Sequence, residues 1–416
     1  MKNKFRCLPL GILKFLQGGL MASLAIALLA LPVASIAQET TSDVRGNLTG
    51  PDGTPAAGVS VRITDTRTGR SNATTTSPSG RFVIGDLAVG GPYTISITSE
   101  AYANQRITDI ELALGETFYL ELQLGAAAMD EVVVTAAAVQ AVQVAVGPSS
   151  TFNFDDIQNA PSINRDIRDI VRLDPRVYID EAFVDAIQCV GANPRFNSLT
   201  VDGVKQNDNF GLNSNGYPTE RMPFPFDAIQ NVALELSPYD VQYGGFTACN
   251  INAVTRSGTN DFSGRVWLDY GDNDLVGDKL EGDKLPGGKF DETRYGMSLG
   301  GPIIEDKLFF FLAYEKLEGA NTFDRCAGDQ SCGRPVLGVS QAQLDRIRDI
   351  AVNQYGFDPG DTLSSLPNED EKILARLDWT INDSHNAALT HIYNDGFNWN
   401  ESDDDADEFE FSNHFY

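Results

Sequence analysis

Histidine is nearly absent. His385, His391 and His414 are the only three in 416 residues, and none stands in a His-x-x-Glu or His-Glu-x-x-His arrangement, so zinc-peptidase chemistry has no ligand set. Gly296-Met297-Ser298-Leu299-Gly300 matches Gly-x-Ser-x-Gly but falls inside the alternation of Tyr295, Met297 and Leu299 and not at an elbow, and no phosphate-binding loop or dinucleotide fingerprint occurs. The expectation is a protein that is not an enzyme, with no catalytic residue, no metal site and no cofactor. Positive charge is also scarce. Lys and Arg number 31 against 58 Asp and Glu, a net charge of −27, and no basic stripe interleaved with aromatics occurs. Nucleic acid is therefore not an expected partner, because a polyanion would be repelled. After residue 37 no apolar run approaches the roughly 20 residues a spanning helix needs, which leaves any membrane passage to β-strands.

What is present begins with Lys2, Lys4, Arg6 and Lys14, no acid among them, then an apolar stretch from Leu20 to Val33 and small residues ending at Ala37. A basic region, a short apolar run and small residues before a cleavage point make a secretory signal peptide over residues 1–37. The alternative, a retained anchor, is disfavoured by the shortness of the apolar run. Cys7 is no lipid-attachment site, since Lys4-Phe5-Arg6 before it are charged and bulky. Cleavage would remove four positive charges, taking the net charge from −27 to −31. It would also leave four cysteines in an oxidising compartment, where disulfides are the default state and three pairings are possible.

From Asp43 to about Leu124 short alternating strands are separated by turn residues. Val59, Val61 and Ile63 alternate with polar neighbours, as do Tyr93, Ile95 and Ile97, then Phe118, Leu120, Leu122 and Leu124. Between them stand Gly50-Pro51-Asp52-Gly53, Ser77-Pro78-Ser79-Gly80 and Gly90-Gly91-Pro92. This is the grammar of a small Ig-like β-sandwich. With Gly58-Val59-Ser60-Val61, Ser79-Gly80-Arg81-Phe82 and Gly91-Pro92-Tyr93, the stretch resembles the carboxypeptidase regulatory-like domain. That resemblance implies binding or assembly and no peptidase site.

A low-complexity joint, Gly125-Ala126-Ala127-Ala128, opens an expected linker over 125–145 that contains Asp130-Glu131-Val132-Val133-Val134-Thr135-Ala136. An acidic pair followed by β-branched residues suits an extended segment that adds to another protein's sheet edge, with main-chain hydrogen bonds carrying the affinity. It resembles a TonB box, the segment by which outer-membrane receptors engage the energy-coupling protein TonB. A last strand of the sandwich, or a plain linker, is the other reading of the same residues. Further on, Asn164 to Pro175 reads as a short amphipathic helix stopped by proline, and Arg195 to Val204 as two strand halves around an Asp202-Gly203 turn. Then come Tyr243-Gly244-Gly245-Phe246 and Asn250-Ile251-Asn252-Ala253-Val254-Thr255-Arg256-Ser257-Gly258-Thr259-Asn260. In order, these resemble the plug domain of TonB-dependent receptors, most closely the Oar-like group, and place an α+β plug at 146–258. Ala248-Cys249 stands where that pattern has a glycine pair. A disulfide between Cys189 and Cys249, both inside the plug block, would rationalise the substitution and leave Cys326 to pair with Cys332 in a later loop.

After Gly258 the alternation becomes that of an outer-membrane strand. Phe262, Val266, Leu268 and Tyr270 share one face, opposite Ser263, Arg265 and Asp269. The pattern recurs in Tyr295, Met297 and Leu299, and in Ile373, Ala375, Leu377, Trp379 and Ile381 opposite Arg376, Asp378, Thr380 and Asn382. Leu308 to Lys316 is apolar on both faces except at its end, and His385 to Asn394 alternates less cleanly. Short connections, 301–306 and 382–384, alternate with long ones, 271–292, 317–371 and 396 onward, as periplasmic turns alternate with extracellular loops. A second secreted β-domain is the competing interpretation of the strands alone. Five strands fall short of a closed barrel, and the resembled receptors close with about 22, inside the range known for such barrels. The fold expected is thus mainly β: a sandwich at 43–124, the plug, and the first strands of an incomplete antiparallel transmembrane β-barrel at 259–416. Asp272, Asp274 and Asp278 beside Gly277 suggest a calcium loop, but Val276 stands where an oxygen ligand is needed. The run Glu401, Asp403, Asp404, Asp405, Asp407 and Glu408 reads as a solvated loop. The resemblance implies a bacterial outer-membrane receptor whose partners are TonB, the membrane lipids and an extracellular substrate that the sequence does not identify. An Oar-like protein serving adhesion or surface organisation without active transport is the alternative.

Overall fold

The computed structural model describes residues 40–416 apart from 128–131, 139, 146, 163, 182–184, 209, 211–212, 214–215, 220, 239–242, 278, 285–289, 323–324, 364, 383–384, 400–410 and 412–416. The expected signal peptide, Cys7, Asp130, Glu131, Asp278, the acidic run from Glu401 to Glu408 and His414 lie outside the described residues. No described helix is long and apolar enough to cross a membrane.

Strands β1 (Thr41–Thr49), β2 (Ser60–Asp65), β3 (Ser71–Thr75), β4 (Arg81–Ala88), β5 (Gly90–Thr98), β6 (Gln105–Leu112), β7 (Glu116–Gln123), β8 (Val132–Thr135) and β9 (Gln140–Ala145) form two sheets, in the orders β4-β1-β7-β9 and β3-β2-β5-β6-β8. Side chains along a strand point alternately to opposite faces, so the period-two sets Val61 and Ile63, Ile95 and Ile97, and Phe118 and Leu120 all meet between the sheets, where they are buried in one core. The residues expected to form a linker are partly strand. β8 adds to one sheet parallel to β6, and β9 adds to the other antiparallel to β7, so both edges on one side of the sandwich are covered by the chain that follows it.

A middle block comes next. Strands β10 (Ser149–Phe152), β11 (Val177–Asp180), β12 (Ala186–Cys189), β13 (Ser198–Val201), β14 (Val204–Lys205), β15 (Ile229–Glu235) and β16 (Asn250–Thr255) are interleaved with helices α1 (Phe154–Asn159) and α2 (Ile167–Val171). The main sheet has the order β10-β15-β16-β13-β14. Its β13–β14 hairpin turns at Asp202 and Gly203, whose φ values of 48° and 77° are the two positive angles a tight hairpin of this twist requires. α2 is shorter than the expected helix. Asp166 caps it by accepting from the Arg168 N–H, which fixes its start after Arg165, and the chain turns away before Pro175. The sandwich rests on this block through Val89 and Leu114, which pack with Ala233 and Val254.

Strands β17 (Ser263–Asp272), β20 (Asp291–Ile304), β21 (Leu308–Thr322), β24 (Ser365–Asn382) and β25 (His385–Asn398) form an antiparallel meander in the order β17-β20-β21-β24-β25. Two short ribbons, β18 (Lys279–Leu280) with β19 (Asp283–Lys284) and β22 (Arg325–Ala327) with β23 (Arg334–Val336), occupy the long connections. So does helix α3 (Gln341–Tyr355), which the sequence reading took as loop. One face of the meander is apolar and open: Val266 is 83% exposed and Leu268 71%, with Met297, Leu299, Leu377 and Trp379 also exposed. The other face packs on the middle block. That explains why β21 is apolar on both faces, because Phe311 and Ala313 enter the middle block's core together with Leu374 of β24. The short turn at Ile304 to Lys307 lies at the sandwich end, where Asn260 Nδ2 donates to Asp306 Oδ1 at 2.8 Å and the Asn260 N–H donates to the Arg67 carbonyl at 2.8 Å.

Candidate functional site

Two places are candidates for function. The first is the segment from Val132 to Ala136. Its strand runs in register with β6, Gln105 opposite Val132 and Thr108 opposite Thr135. Val134 and Ala136 turn onto the sandwich core while Val133 faces outward.

The second is an ionic seam between the middle block and the inward face of the meander. Arg165 sits just ahead of α2 and carries its guanidinium 2.9 Å from Asp227 and 3.8 Å from Glu315, with both carboxylates and the guanidinium almost wholly buried. The guanidinium also lies 3.8 Å from the centre of the Trp267 ring and 5.2 Å from that of Phe226, a stacking geometry that a planar, weakly hydrated cation favours. Trp267 reaches this position because Gly296, its partner on β20, has no side chain; a Cβ there would come within 2.8 Å of the ring. Glu315 accepts from the Phe226 N–H at 3.2 Å and faces Lys372 at 3.7 Å, the residue directly opposite it on β24. Lys372 in turn pairs with Asp370 at 2.9 Å.

Nearer the sandwich, Arg376 of β24 donates to Thr255 Oγ1 at 2.9 Å, to the Thr255 carbonyl at 3.1 Å and to Asp202 Oδ1 at 3.3 Å. Asp202 is itself fixed by the Thr255 hydroxyl at 2.6 Å and the Thr255 N–H at 2.8 Å. The Asp-Gly turn read from the sequence thus presents its carboxylate to the meander. Arg256 lies with its guanidinium 4.6 Å from the Phe154 ring centre and 5.0 Å from that of Phe311. Burial lowers its pKa, with Asp227 acting against the shift. Within the middle block, burial pushes the Asp166 carboxyl up, but the Arg168 charge and hydrogen bonds outweigh it and hold the pKa below the usual value.

Of the residues singled out from the sequence, Cys189 is bonded to Cys249 and Cys326 to Cys332. Ala248 and Cys249 both keep negative φ, so the backbone there makes no demand for glycine. Asp272 spends its carboxylate on the loop, accepting from the Asp274 and Leu275 N–H groups and the Tyr270 hydroxyl. Among the described residues no group of three or more His, Cys, Asp or Glu side chains is placed to hold a metal ion. The sequence reading missed Arg165, Asp227, Glu315 and Lys372, which lie far apart in the chain and share no motif. The available signal was the charge at the end of an otherwise apolar strand, at Glu315.

The carboxypeptidase regulatory-like domain matches residues 43–125, and the outer membrane beta barrel domain matches residues 254–324. The TonB-dependent transporter Oar of Myxococcus xanthus is 27% identical over 279 residues. The chain is a homologue of Oar. The match covers 62% of this chain and 25% of Oar, so the chain spans about a quarter of that relative's length. Among solved structures, the outer membrane transporter YddB from Escherichia coli aligns at 15% identity, 60% of this chain, 33% of that one and a TM-score of 0.43. A ferric enterobactin receptor mutant, PfeA R480A from Pseudomonas aeruginosa, aligns at 16%, 60%, 33% and 0.41. This chain is a protein of the bacterial outer membrane.

Proposed function

We propose that this protein is a TonB-dependent outer-membrane receptor that takes up a substrate by energised rearrangement of a plug. In this reading residues 146–258 are the plug, 259–416 are the first strands of its barrel, and Asp130 to Ala136 engage TonB in the periplasm. The observation that carries it is the ionic seam. The middle block is held to the inward face of the meander by ion pairs from Arg165 to Glu315 and from Arg376 to Asp202, beside a shared apolar core. Ion pairs can exchange partners or accept water when force is applied, whereas an apolar interface gains nothing from wetting. The short turn between β20 and β21 lies beside the sandwich, which agrees with a periplasmic sandwich and with long loops outside the cell. The substrate binds the outer face of plug and loops, and no catalytic step is involved.

Deleting residues 130–136 in the complete gene tests this. Uptake is expected to stop while surface binding persists. Unchanged uptake would sink the transport mechanism, and a cell-surface phenotype that survives without TonB would favour adhesion instead.

A further inference from the structure

Residues 132–135 are seated on the sandwich. The Val132 N–H donates to the Asn104 carbonyl at 3.0 Å, and the parallel register that follows turns the amides of Arg106 and Thr108 toward β8. Gln105 and Ile107 face β5 by the same alternation. Beyond the short turn of Ala136–Ala138, β9 is fastened to the other sheet. The Gln143 side chain adds a clamp there, its Nε2 donating to the Glu111 carbonyl at 3.1 Å and its Oε1 accepting from the Ala113 N–H at 3.2 Å. The segment therefore spans the open side of the sandwich and is held at both ends.

We propose that the edge of β6 is an intramolecular docking site for the box, and that the sandwich competes with TonB for it. This rests on the reading of residues 130–136 as the TonB-binding segment. A strand recognised through its main chain offers two hydrogen-bonding sides. On β8 the side presented by Val132 and Val134 is taken by β6, and Val134 is also packed on the sandwich core. A partner that needs that side, or an extended strand free to be drawn away, must first displace β6. A box that is free one-tenth of the time binds its partner about tenfold more weakly than a free peptide does. The sandwich thereby sets a threshold for coupling.

Hydrogen exchange on the purified outer-membrane protein, with and without the periplasmic domain of TonB, tests this directly. The amides of Arg106 and Thr108 are expected to be protected in the protein alone and to exchange at least about tenfold faster at saturating TonB. Protection in β2 and β5 should stay unchanged. If Arg106 and Thr108 remain protected with TonB bound, the box has not left β6 and the proposal is overturned. Arg106→Pro removes the central donor to β8 and leaves the box sequence intact; affinity for the TonB domain should rise about tenfold. Unchanged affinity, with β2 and β5 still protected, also overturns the docking. Should this variant lose protection throughout the sandwich, the wild-type exchange experiment decides alone. A variant lacking 130–136 separates the two ideas. Undiminished TonB binding by that variant removes the box reading itself, whereas lost binding together with a silent Arg106→Pro removes only the competition.

Discussion

Asp227→Asn keeps the shape of the side chain nearest Arg165 and removes its charge. In the folded protein the Arg165 side chain is 12% exposed and that of Asp227 4%, with 2.9 Å between them in a contact that is ionic rather than a directed hydrogen bond. Removing one partner of a buried pair leaves an uncompensated charge and costs about 3–5 kcal/mol. Arg165 keeps two favourable neighbours, Glu315 at 3.8 Å and the Trp267 face, which puts the expected cost at the lower end. A loss of about 3 kcal/mol corresponds to about a 140-fold larger opening equilibrium for the middle block. Native-state hydrogen exchange reads this opening at the amides of β15 and β16, with β2 and β5 of the sandwich as an internal reference. Asp185→Asn is the contrasting variant. It breaks the 3.7 Å pair with Arg168, in which the aspartate is 47% exposed, so its cost should stay under about 1 kcal/mol. If Asp227→Asn changes exchange in β15 and β16 by no more than Asp185→Asn does, the buried Arg165–Asp227 pair does not stabilise the middle block and the reasoning from its burial fails.

Acid should weaken the middle block partly through Asp174. The Arg176 guanidinium, helped by the Ser150 hydroxyl and the Arg176 N–H and opposed by burial, holds its carboxyl well below the usual carboxylate range. A depressed folded-state pKa contributes stability that is complete above the unfolded value near ~3.9 and is lost as pH falls toward the folded one. The thermal midpoint of wild type should therefore exceed that of Asp174→Asn at neutral pH, and the gap should narrow below about pH 4; a constant gap would contradict the assignment. Replacing Cys189 and Cys249 together by alanine should cost about 4 kcal/mol, because the bond closes a loop with a sequence separation of 60, and denaturant midpoints with and without reductant measure it. Leu377→Arg, on the open face of the meander, should cost about 2–4 kcal/mol in folding into bilayers if the residue lies near the midplane. An arginine tolerated there at no cost would argue against lipid contact.

The period-two patterns were the most legible part of the fold. Val61, Ile63, Ile95 and Ile97 announce an inward face because a sandwich core is built from the inward-facing apolar residues of both sheets, and Val266 and Leu268 announce a second apolar face, which the structure leaves open. Asp202-Gly203 was legible because few other pairs reach two positive φ values. β8 was legible only as one of several readings, a last strand of the sandwich, and β9 was not, since β6 and β7 were already complete strands and nothing in an Ala- and Val-rich joint says which edge it will cover. Helix α3 could have been found: Ser340 and Gln343 form a cap in which the Ser340 N–H donates to Gln343 Oε1 at 2.8 Å, and Gly356 ends the helix at φ 67°. The strands also run further into the loops than alternation indicated, β21 to Thr322 and β24 from Ser365, because pairing continues where apolar patterning stops. The seam was illegible for a different reason. Glu315 of the meander meets Arg165 and Asp227 only through the docking of two blocks, and no local spacing encodes that meeting.

The bond between Cys189 and Cys249 acquires another meaning if the chain is loaded mechanically from residues 130–136. Tension entering at β10 would travel through α1, α2 and β11 to Cys189, and there it would cross the sulfur bridge to Cys249 and pass on to β16 and β17. The residues between the two cysteines, with β13, β14 and β15 among them, sit in a side branch that carries no load. At about 3.4 Å per residue, the separation of 60 takes roughly 200 Å out of the length that pulling could draw from the protein. An oxidised protein would yield a short first extension and then stiffen, and a reduced one would keep paying out chain; the covalent shunt thus sets the stroke of any pull on the middle block.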